Sequence, residues 1–188
     1  MKKRTIFALV LLIAINLILG LLYHNALRDK EKVINELCGT ITLSCIAASS
    51  RLDEAMESAD RRLILMAGIK IEELSGLLGS SVSMELGVHN TYGPGSLSSL
   101  AELIIWGDST CDIAPLGSPN NNTPLDSDEI TIIKNISSAL KEVALSFYDE
   151  SVTENTYMNE TRSHSNISAI NYALLVLQTT TGSIFEKQ

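Results

Sequence analysis

The stretch FALVLLIAINLILGLLYHN, residues 7–25, decides how the rest of the chain is organised, and it follows the short basic head MKKRTI. Residues 6–23 form an apolar run of 18 residues that only Asn16 and Gly20 interrupt. As an α-helix with a rise of about 1.5 Å per residue, this run would be about 27 Å long, close to the hydrocarbon thickness of a bilayer. The sequence therefore predicts a helix that crosses a membrane.

This apolar run could be a secretion signal that is removed or an anchor that stays. A cleaved signal has an apolar region of about 7 to 15 residues, followed by small residues at the minus-three and minus-one positions. The run here is longer, and neither His24 with Ala26 nor Ile18 with Gly20 gives the A-x-A spacing. We predict a retained signal anchor at residues 6–23, although a cleaved signal would also export the remainder.

The charges on both sides of the span bear on its orientation. Three basic residues precede the span, and three follow it at Arg28, Lys30 and Lys32. The head is short, and a lone amino-terminal span usually inserts with its head in the cytoplasm. We therefore predict a cytoplasmic segment at residues 1–5 and an extracytoplasmic domain at residues 24–188, in the cell membrane and single-pass.

The exported part has the size of one domain and a strongly acidic composition. Its 165 residues suffice for a single hydrophobic core. Without the three basic residues of the head, 11 Lys and Arg remain against 22 Asp and Glu, which gives about eleven net negative charges. Nucleic acids and anionic lipid surfaces are bound through clustered Lys and Arg, so the composition argues against a nucleic-acid partner.

A long amphipathic helix is predicted directly after the span. No Pro occurs before position 94, and apolar residues recur at steps of three or four, which is the helical period. The stripe consists of Ile34, Cys38, Ile41, Cys45, Ala48, Leu52, Ala55, Ala59, Leu63 and Met66, and Leu74, Leu77 and Leu78 extend it. Gly79 supplies a stop, because glycine accepts the left-handed conformation that ends helices. We predict a loop over residues 81–95, which are rich in turn formers.

Three further helices are predicted in the remainder. The first is Ser96–Trp106, in which Ser99 and Glu102 have the spacing of a capping box. The second lies in residues 125–148 and opens with acidic residues that suit a helix amino terminus. Its predicted buried face is Ile133, Ile136, Leu140, Val143 and Phe147, with Lys134, Lys141 and Glu142 left in water.

The last predicted helix follows the polar linker at residues 149–166. It carries Ile167, Ile170, Leu174 and Leu177 on one face and is predicted to end at Gly182. Helices of this kind can bury their stripes against one another. We predict an all-α protein, in which one transmembrane helix continues into an extracytoplasmic antiparallel bundle of about four helices.

The three cysteines allow two interpretations. Cys38 and Cys45 share a helix face but lie about 10 Å apart along it, which is too far for a bond between them. Cys111 could pair with either one if the bundle folds back. We favour packing as small hydrophobic residues over a disulfide. A metal site is not indicated, because there is no CxxC motif and no neighbouring His.

No motif predicts a catalytic, cofactor-binding or metal-binding residue. His24 lies at the membrane edge, and His89 and His164 lie in predicted loops. The GPGS stretch at residues 93–96 lacks the third glycine and the preceding strand of a phosphate-binding loop. Asp126 and Asp128 resemble the start of a calcium loop without its later ligands, and helix capping explains them better.

Four N-x-S/T sequons begin at Asn121, Asn135, Asn159 and Asn166. A sequence this rich in Ser and Thr contains some sequons by chance. Two of the four, at Asn121 and Asn159, fall in predicted loops. In a host that glycosylates exported proteins, these two are the accessible acceptors.

The order of segments resembles the helical amino-terminal region of YpeB-type spore germination proteins. The resemblance consists of one amino-terminal span, a long helix, LAELIIWGDST, an irregular interval and PLDSDEITIIKNISSALKEV. The matching positions are apolar spacing together with Gly107–Asp108 and Pro124–Leu125. Those proteins continue into repeated carboxyl-terminal domains and act with a cortex-lytic enzyme, whereas this sequence ends at Gln188 without such repeats. The resemblance implies a role in sporulation or germination.

Three classes of function follow from these features. We favour a non-enzymatic, membrane-anchored helical module without cofactors that binds another cell-envelope protein. The second class is a ligand-binding sensor ectodomain, which would have to signal through a partner subunit because residues 1–5 are too short for an output domain. The third is an enzyme such as a wall hydrolase, but Glu72 and Glu73 are adjacent and point about 100° apart on a helix.

Overall fold

A computed structural model describes residues 2–109, 113–118 and 124–186. The regular structure of this part of the chain is helical, and one isolated antiparallel bridge joins Asp108 to Ile113. The helices are α1 (Lys2–Ser58), α2 (Arg61–Leu78), α3 (Ser81–Leu86), α4 (Leu97–Trp106), α5 (Ser127–Leu145) and α6 (Ile167–Thr181). Short 3-10 turns occur at Tyr157–Asn159 and Gly182–Phe185. The all-α prediction is confirmed for the described residues.

The chain divides into two compact units, Met1–Leu37 and Cys38–Gln188. The first unit consists of α1 residues. Its large apolar side chains from Leu11 to Tyr23 are between 46% and 68% exposed, so the protein buries none of them. This part of α1 is long and apolar enough to cross a membrane. The predicted apolar helix at the amino terminus is therefore present.

The second unit begins with the carboxyl-terminal part of α1, whose predicted stripe is confirmed as far as Ala55. The side chains of this stripe are all buried, namely Cys38, Ile41, Cys45, Ala48, Leu52 and Ala55. The predicted continuation to Leu78 as one helix is wrong, because α1 ends at Ser58. Ala59 adopts a positive φ of 57°, and the Asp60 side chain caps α2 by accepting a hydrogen bond of 2.9 Å from the Arg62 amide.

This break changes which residues of the next helix are buried. In α2 the buried residues are Arg61, Ile64, Ala67, Gly68, Ile71, Leu74 and Leu78. Met66 and Leu77, which the unbroken stripe placed in the core, are 45% and 39% exposed, and Ala59 is exposed as well. An α-helix keeps its apolar period only while its backbone is continuous, so the left-handed residue at 59 restarts the period.

Two other local predictions are corrected. The predicted loop over residues 81–95 contains α3, which Ser80 caps at its start and Gly87, with φ of 88°, ends. The amino-terminal cap of α4 is Ser96 rather than Ser99, because the Ser96 hydroxyl accepts a hydrogen bond from the Ser99 amide. The Ser99 hydroxyl instead donates to the Gly93 carbonyl at 2.8 Å.

The turn before α4 packs closely against the end of α6. Gly95 has a φ of 78°, and a Cβ atom there would lie 2.7 Å from the Gln178 carbonyl oxygen and 2.8 Å from the Gly182 nitrogen. The Thr181 hydroxyl donates a 3.0 Å hydrogen bond to the Gly95 carbonyl. The GPGS stretch is therefore a turn that requires glycine at position 95 for close backbone approach.

Helices α5 and α6 follow the prediction closely. Asp126 and Glu129 form a reciprocal capping box at the start of α5, with the Glu129 amide 2.8 Å from the Asp126 carboxylate. The five residues of the predicted buried face of α5 are all buried. In α6, Ile170, Leu174 and Leu177 are buried, Ile167 is half-buried, and Gly182 caps the end of the helix.

Two helix pairs supply much of the packing in the second unit. Helix α2 packs against α4, and α5 packs against α6. The close approach of α2 and α4 depends on Gly68, where a Cβ atom would lie 2.6 Å from Cγ2 of Ile104. The core therefore lies between paired amphipathic helices, as their sequence period indicates.

Candidate functional site: the surface of the helical unit

Helix α2 carries large apolar residues on two opposite sides, although the sequence predicted a single stripe. Its core side packs against α4, whereas Met66, Ile69 and Leu77 lie on the other side and are 45%, 45% and 39% exposed. These three residues fall within about 80° of one another around the helix axis, since successive residues are about 100° apart. They form a stripe that the packing of this unit leaves in water.

Helix α3, which contacts α2, exposes two more apolar side chains. Val82 is 56% exposed and Met84 is 58% exposed, and they point to different sides of α3 because they are two residues apart. We use the name α2–α3 apolar surface for Met66, Ile69, Leu77, Val82 and Met84. Burying one side chain of this size is worth about 1.5–3 kcal/mol relative to leaving it in water. Exposed residues of this kind can therefore bind an apolar partner, and Met side chains adapt readily to different shapes.

Charged side chains of both signs lie among the exposed apolar residues of α2. Arg62 and Glu73 are exposed within the same arc of the helix as the stripe, since successive residues are about 100° apart, and Lys70 forms an ion pair with Glu73. Protein–protein contacts commonly combine apolar side chains with polar and charged ones. Glu72 and Glu73 are the adjacent carboxylates that an enzymatic function would have to use as a pair. Both are exposed on the surface of α2, and Glu73 has a basic partner.

A second polar feature joins α1, α5 and the linker after α5. The Lys141 ammonium lies 2.8 Å from Asp53 and 2.7 Å from Glu154, and Ser137 donates a 2.6 Å hydrogen bond to the same Asp53 carboxylate. The hydrogen bonds to Asp53 and Glu154 raise the pKa of Lys141 above its ordinary value. Lys141 therefore stays charged and holds two carboxylates together.

This arrangement corrects the prediction that Lys141 points into water with Lys134 and Glu142. Lys134 and Glu142 are exposed as predicted, whereas Lys141 is half-buried. Burial also raises the pKa of Tyr157, which lies next to this cluster. No local sequence pattern indicates this cluster, because Asp53 and Ser137 are 84 positions apart. Because its charged groups are paired with one another, the cluster serves to hold α1, α5 and the linker together.

Arg61 forms the other internal charge cluster. Its side chain is 4% exposed and makes a two-pronged contact with Glu129, at 2.8 and 2.7 Å, together with a hydrogen bond to the Leu116 carbonyl at 3.1 Å. Buried arginines are expected to have partners of this kind, because a guanidinium without them would lose its hydration without compensation. The cluster joins the first residue of α2 to the first turn of α5.

A cleft of about 460 Å³ lies beside the start of α5. Ligand pockets commonly have volumes of about 300–1,000 Å³ and combine apolar walls with a few polar groups. This cleft has a volume in that range but a more polar lining, because six of its eleven lining residues are polar, namely Asp126, Asp128, Glu129, Thr131, Asn135 and Ser183. Asp128 lies in the first turn of α5 and is exposed, so its carboxylate can meet a ligand in the cleft.

The remaining candidates from the sequence do not converge. His24 is exposed on α1, His89 is exposed after α3, and the exposed His164 lies 3.5 Å from the Asp149 carboxylate. Within the described ranges, no group of three His, Cys, Asp or Glu side chains could hold a metal ion.

The cysteines are buried where the structure describes them. Cys38 and Cys45 are free thiols with 0% and 1% exposure. Burial raises the pKa of Cys45 to about 12, and it raises that of Cys38 to about 11 against an opposing effect of the Arg162 charge. Both thiols are therefore neutral at ordinary pH. Cys111 lies outside the described residues, so its predicted alternatives stay open.

The four sequons differ in their placement. Asn135 and Asn159 are exposed, on α5 and in the 3-10 turn of the linker. Asn166 is exposed but uses its side-chain oxygen to cap α6, accepting a 2.8 Å hydrogen bond from the Ala169 amide. Asn121 lies outside the described residues.

Comparison of the chain with protein-family models, with curated proteins and with solved structures finds no significant match.

Proposed function

We propose that this protein is a membrane-anchored, non-enzymatic helical module that binds another protein of the cell envelope through the α2–α3 apolar surface. The observation that supports this most directly is the exposure of Met66, Ile69 and Leu77 on the side of α2 opposite to its packed side. Exposed apolar residues at helical spacing, with charged residues among them, have the composition of a protein-binding surface.

The proposed anchor is the apolar run at residues 6–23, which inserts in the lipid bilayer. Support comes from the exposure of every large apolar side chain between Leu11 and Tyr23, which water would oppose and a bilayer would favour. We propose that residues 1–5 face the cytoplasm and residues 24–188 lie outside, on the basis of the short basic head. The anchor keeps the helical unit at the membrane, where envelope partners are concentrated.

The charge of the exported part restricts the kind of partner. About eleven net negative charges favour a partner with basic groups around an apolar centre, since opposite charges speed encounter and like charges oppose it. The same charge disfavours nucleic acid. For the process, we propose sporulation or germination, and its support is the resemblance of the segment order to YpeB-type proteins.

The test is capture of a partner by the full-length protein from membranes dissolved in mild detergent. We expect the natural protein to capture a partner in stoichiometric amount. The double variant Met66→Glu plus Ile69→Glu should reduce the captured amount at least tenfold. A carboxylate at each position places a charge in the desolvated centre of the contact, where hot-spot substitutions cost about 2 kcal/mol or more. Tenfold corresponds to about 1.4 kcal/mol.

Leu175→Glu is the matched control, because Leu175 is a 52% exposed apolar residue on α6 and is not one of the five residues of the named surface. This variant should keep its partner, and circular dichroism should show equal helix content in all three proteins. Retention of the partner by the double variant, or no partner with the natural protein, contradicts the proposal.

A ligand-binding sensor ectodomain is the second candidate, and the cleft beside α5 favours it. Its volume and mixed lining suit a small molecule, with Asp128 available for a positively charged group. A melting temperature that rises with ligand concentration, and that no longer rises in Asp128→Asn, would support this candidate. Such a sensor would signal through a partner subunit.

A further inference from the structure

Asn16 places a polar amide near the middle of the proposed membrane span. Counting along an α-helix, it lies about 15 Å from Ile6 and about 10 Å from Tyr23, which mark the two ends of the apolar run. Residues 6–23 contain no other amide side chain. Polar side chains at this depth are costly in hydrocarbon and are retained mainly where a partner group satisfies them.

The helix itself satisfies only part of this amide. Among the described side chains, Asn16 makes one hydrogen bond, in which Nδ2 donates to the Leu12 carbonyl at 2.8 Å. An asparagine amide has a second N–H and an oxygen acceptor with two lone pairs. In a bilayer these groups can be satisfied only by polar atoms of another segment at the same depth, because water is absent there.

The residues around Asn16 form a seam suited to helix pairing. Ile13, Asn16, Gly20, Tyr23 and Leu27 follow one another at steps of three, four, three and four, the spacing of the contact positions in a left-handed helix pair. Gly20 has no protein atom within 4 Å of where a Cβ would be, so the backbone is bare at this point of the seam. A bare backbone lets a neighbouring helix approach closely.

We infer that two copies of this chain pair in the bilayer through this seam, with the Asn16 amides hydrogen-bonded to each other. The occupant is a second copy because an amide is both donor and acceptor, so it is complementary to itself. Two copies inserted in the same orientation place Asn16 at the same depth in the bilayer, whether their amino termini are inside or outside the cell. A different helix would need a polar group of its own at that depth. The inference rests on the proposed membrane anchor.

The test measures energy transfer between full-length chains in phosphatidylcholine vesicles as lipid dilutes the protein. Donor and acceptor fluorophores are fused to the carboxyl terminus of separate copies. Transfer should persist on dilution for the natural protein, and Asn16→Leu should dissociate at about tenfold higher protein-to-lipid ratio, because one interhelical hydrogen-bonded pair is lost. Asn16→Gln should retain pairing, since its amide can form the same contact.

Ile18→Val is the matched control, because position 18 is about 200° from Asn16 around the helix and lies away from the seam. It should pair like the natural protein. Equal pairing of Asn16→Leu and the natural protein overturns the inference, and so does absence of transfer in the natural protein. Alkaline carbonate extraction separates the two levels: a chain that stays in the membrane without transfer refutes pairing alone, whereas a chain that is released refutes the anchor as well.

Discussion

Ala59 is the residue at which the long amphipathic helix breaks and the set of buried positions shifts. Its φ of 57° lies in the left-handed region, where a side chain with a Cβ costs roughly 1–2 kcal/mol. Glycine avoids this cost, although it loses some conformational entropy on folding. We expect Ala59→Gly to raise the free energy of unfolding by up to about 1 kcal/mol.

Urea unfolding of the full chain in detergent micelles, followed by circular dichroism, measures this effect. Ala47→Gly is the control, because Ala47 lies within α1 with helical backbone, and glycine there should lower stability by about 1 kcal/mol. An increase in the free energy of unfolding for Ala59→Gly together with a decrease for Ala47→Gly would locate the backbone strain at residue 59. A loss of stability in both variants would contradict it.

Cys45 makes stability depend on alkaline pH. Its thiol has an ordinary pKa of 9.0 and a folded pKa of about 12, because burial opposes the thiolate. Below pH 9 the thiol is neutral in both states; above pH 9 the unfolded chain ionises first, so stability falls as pH rises toward 12. At pH 10.5 this loss should be about 2 kcal/mol relative to pH 8.

Cys45→Ala removes this thiol and should therefore reduce the loss of stability between pH 8 and pH 10.5, even though the variant is less stable at pH 8. The measurement is the free energy of unfolding in urea at both pH values. Cys38, Lys141 and Tyr157 also have raised pKa values and should leave part of the alkaline loss in place. An unchanged loss in Cys45→Ala would argue against a buried neutral thiol.

At the level of elements, the sequence predicted periodicity well and helix boundaries less well. The stripe from Cys38 to Ala55 and the buried face of α5 depend only on local spacing, and both are confirmed. The break at Ala59 could not be predicted from propensity, because alanine is the best helix former. Asp60 was the one available signal, since Asp is a preferred amino-terminal cap. If the helix is continued through Asp60, the apolar period places Met66 in the core. The exposed residues of the α2–α3 apolar surface are then not predicted.

Contacts between distant residues were beyond the reach of the sequence pattern. The contact of Asp53 with Ser137 in the Lys141 cluster joins residues 84 positions apart, and the Arg61–Glu129 pair joins residues 68 positions apart. Their charged side chains look like ordinary solvated residues of amphipathic helices. Only the folded arrangement shows that Arg61 is buried, so the sequence assigned it no role.

The two glycines of α2 provide a matched test of how α2 packs on α4. A Cβ at Gly68 would lie 2.6 Å from the Ile104 side chain, whereas a Cβ at Gly76 would meet nothing within 4 Å. Gly68→Ala should therefore lower the free energy of unfolding by about 1–3 kcal/mol through overpacking. Gly76→Ala should raise it by about 0.5–1 kcal/mol, because alanine favours the helix.

Thermal and urea unfolding of both variants measure the two effects, and the natural protein is the reference. Gly68→Ala should also weaken any property that depends on the orientation of α2, including partner capture by the α2–α3 apolar surface. Equal stabilisation by both alanines would contradict the close α2–α4 contact.

At the scale of the whole molecule, the proposed placement of residues 24–188 outside the cell depends on charges at the two ends of the proposed span. The basic head and the basic residues after the span are equal in number, so orientation rests on the shortness of the head and its terminal position. We expect protease added to intact cells to remove a carboxyl-terminal tag while an amino-terminal tag stays protected.

Replacing Lys2, Lys3 and Arg4 by Asn should reverse the membrane orientation of part of the molecules. The dominant basic cluster would then be Arg28, Lys30 and Lys32, and it would be retained in the cytoplasm. The carboxyl-terminal tag of the reversed molecules should resist protease until the cells are permeabilised. Replacing Arg28, Lys30 and Lys32 by Asn instead is the matched control, and it should strengthen the natural orientation. A protected carboxyl-terminal tag in the natural protein would place the acidic helical unit in the cytoplasm and exclude an extracytoplasmic partner.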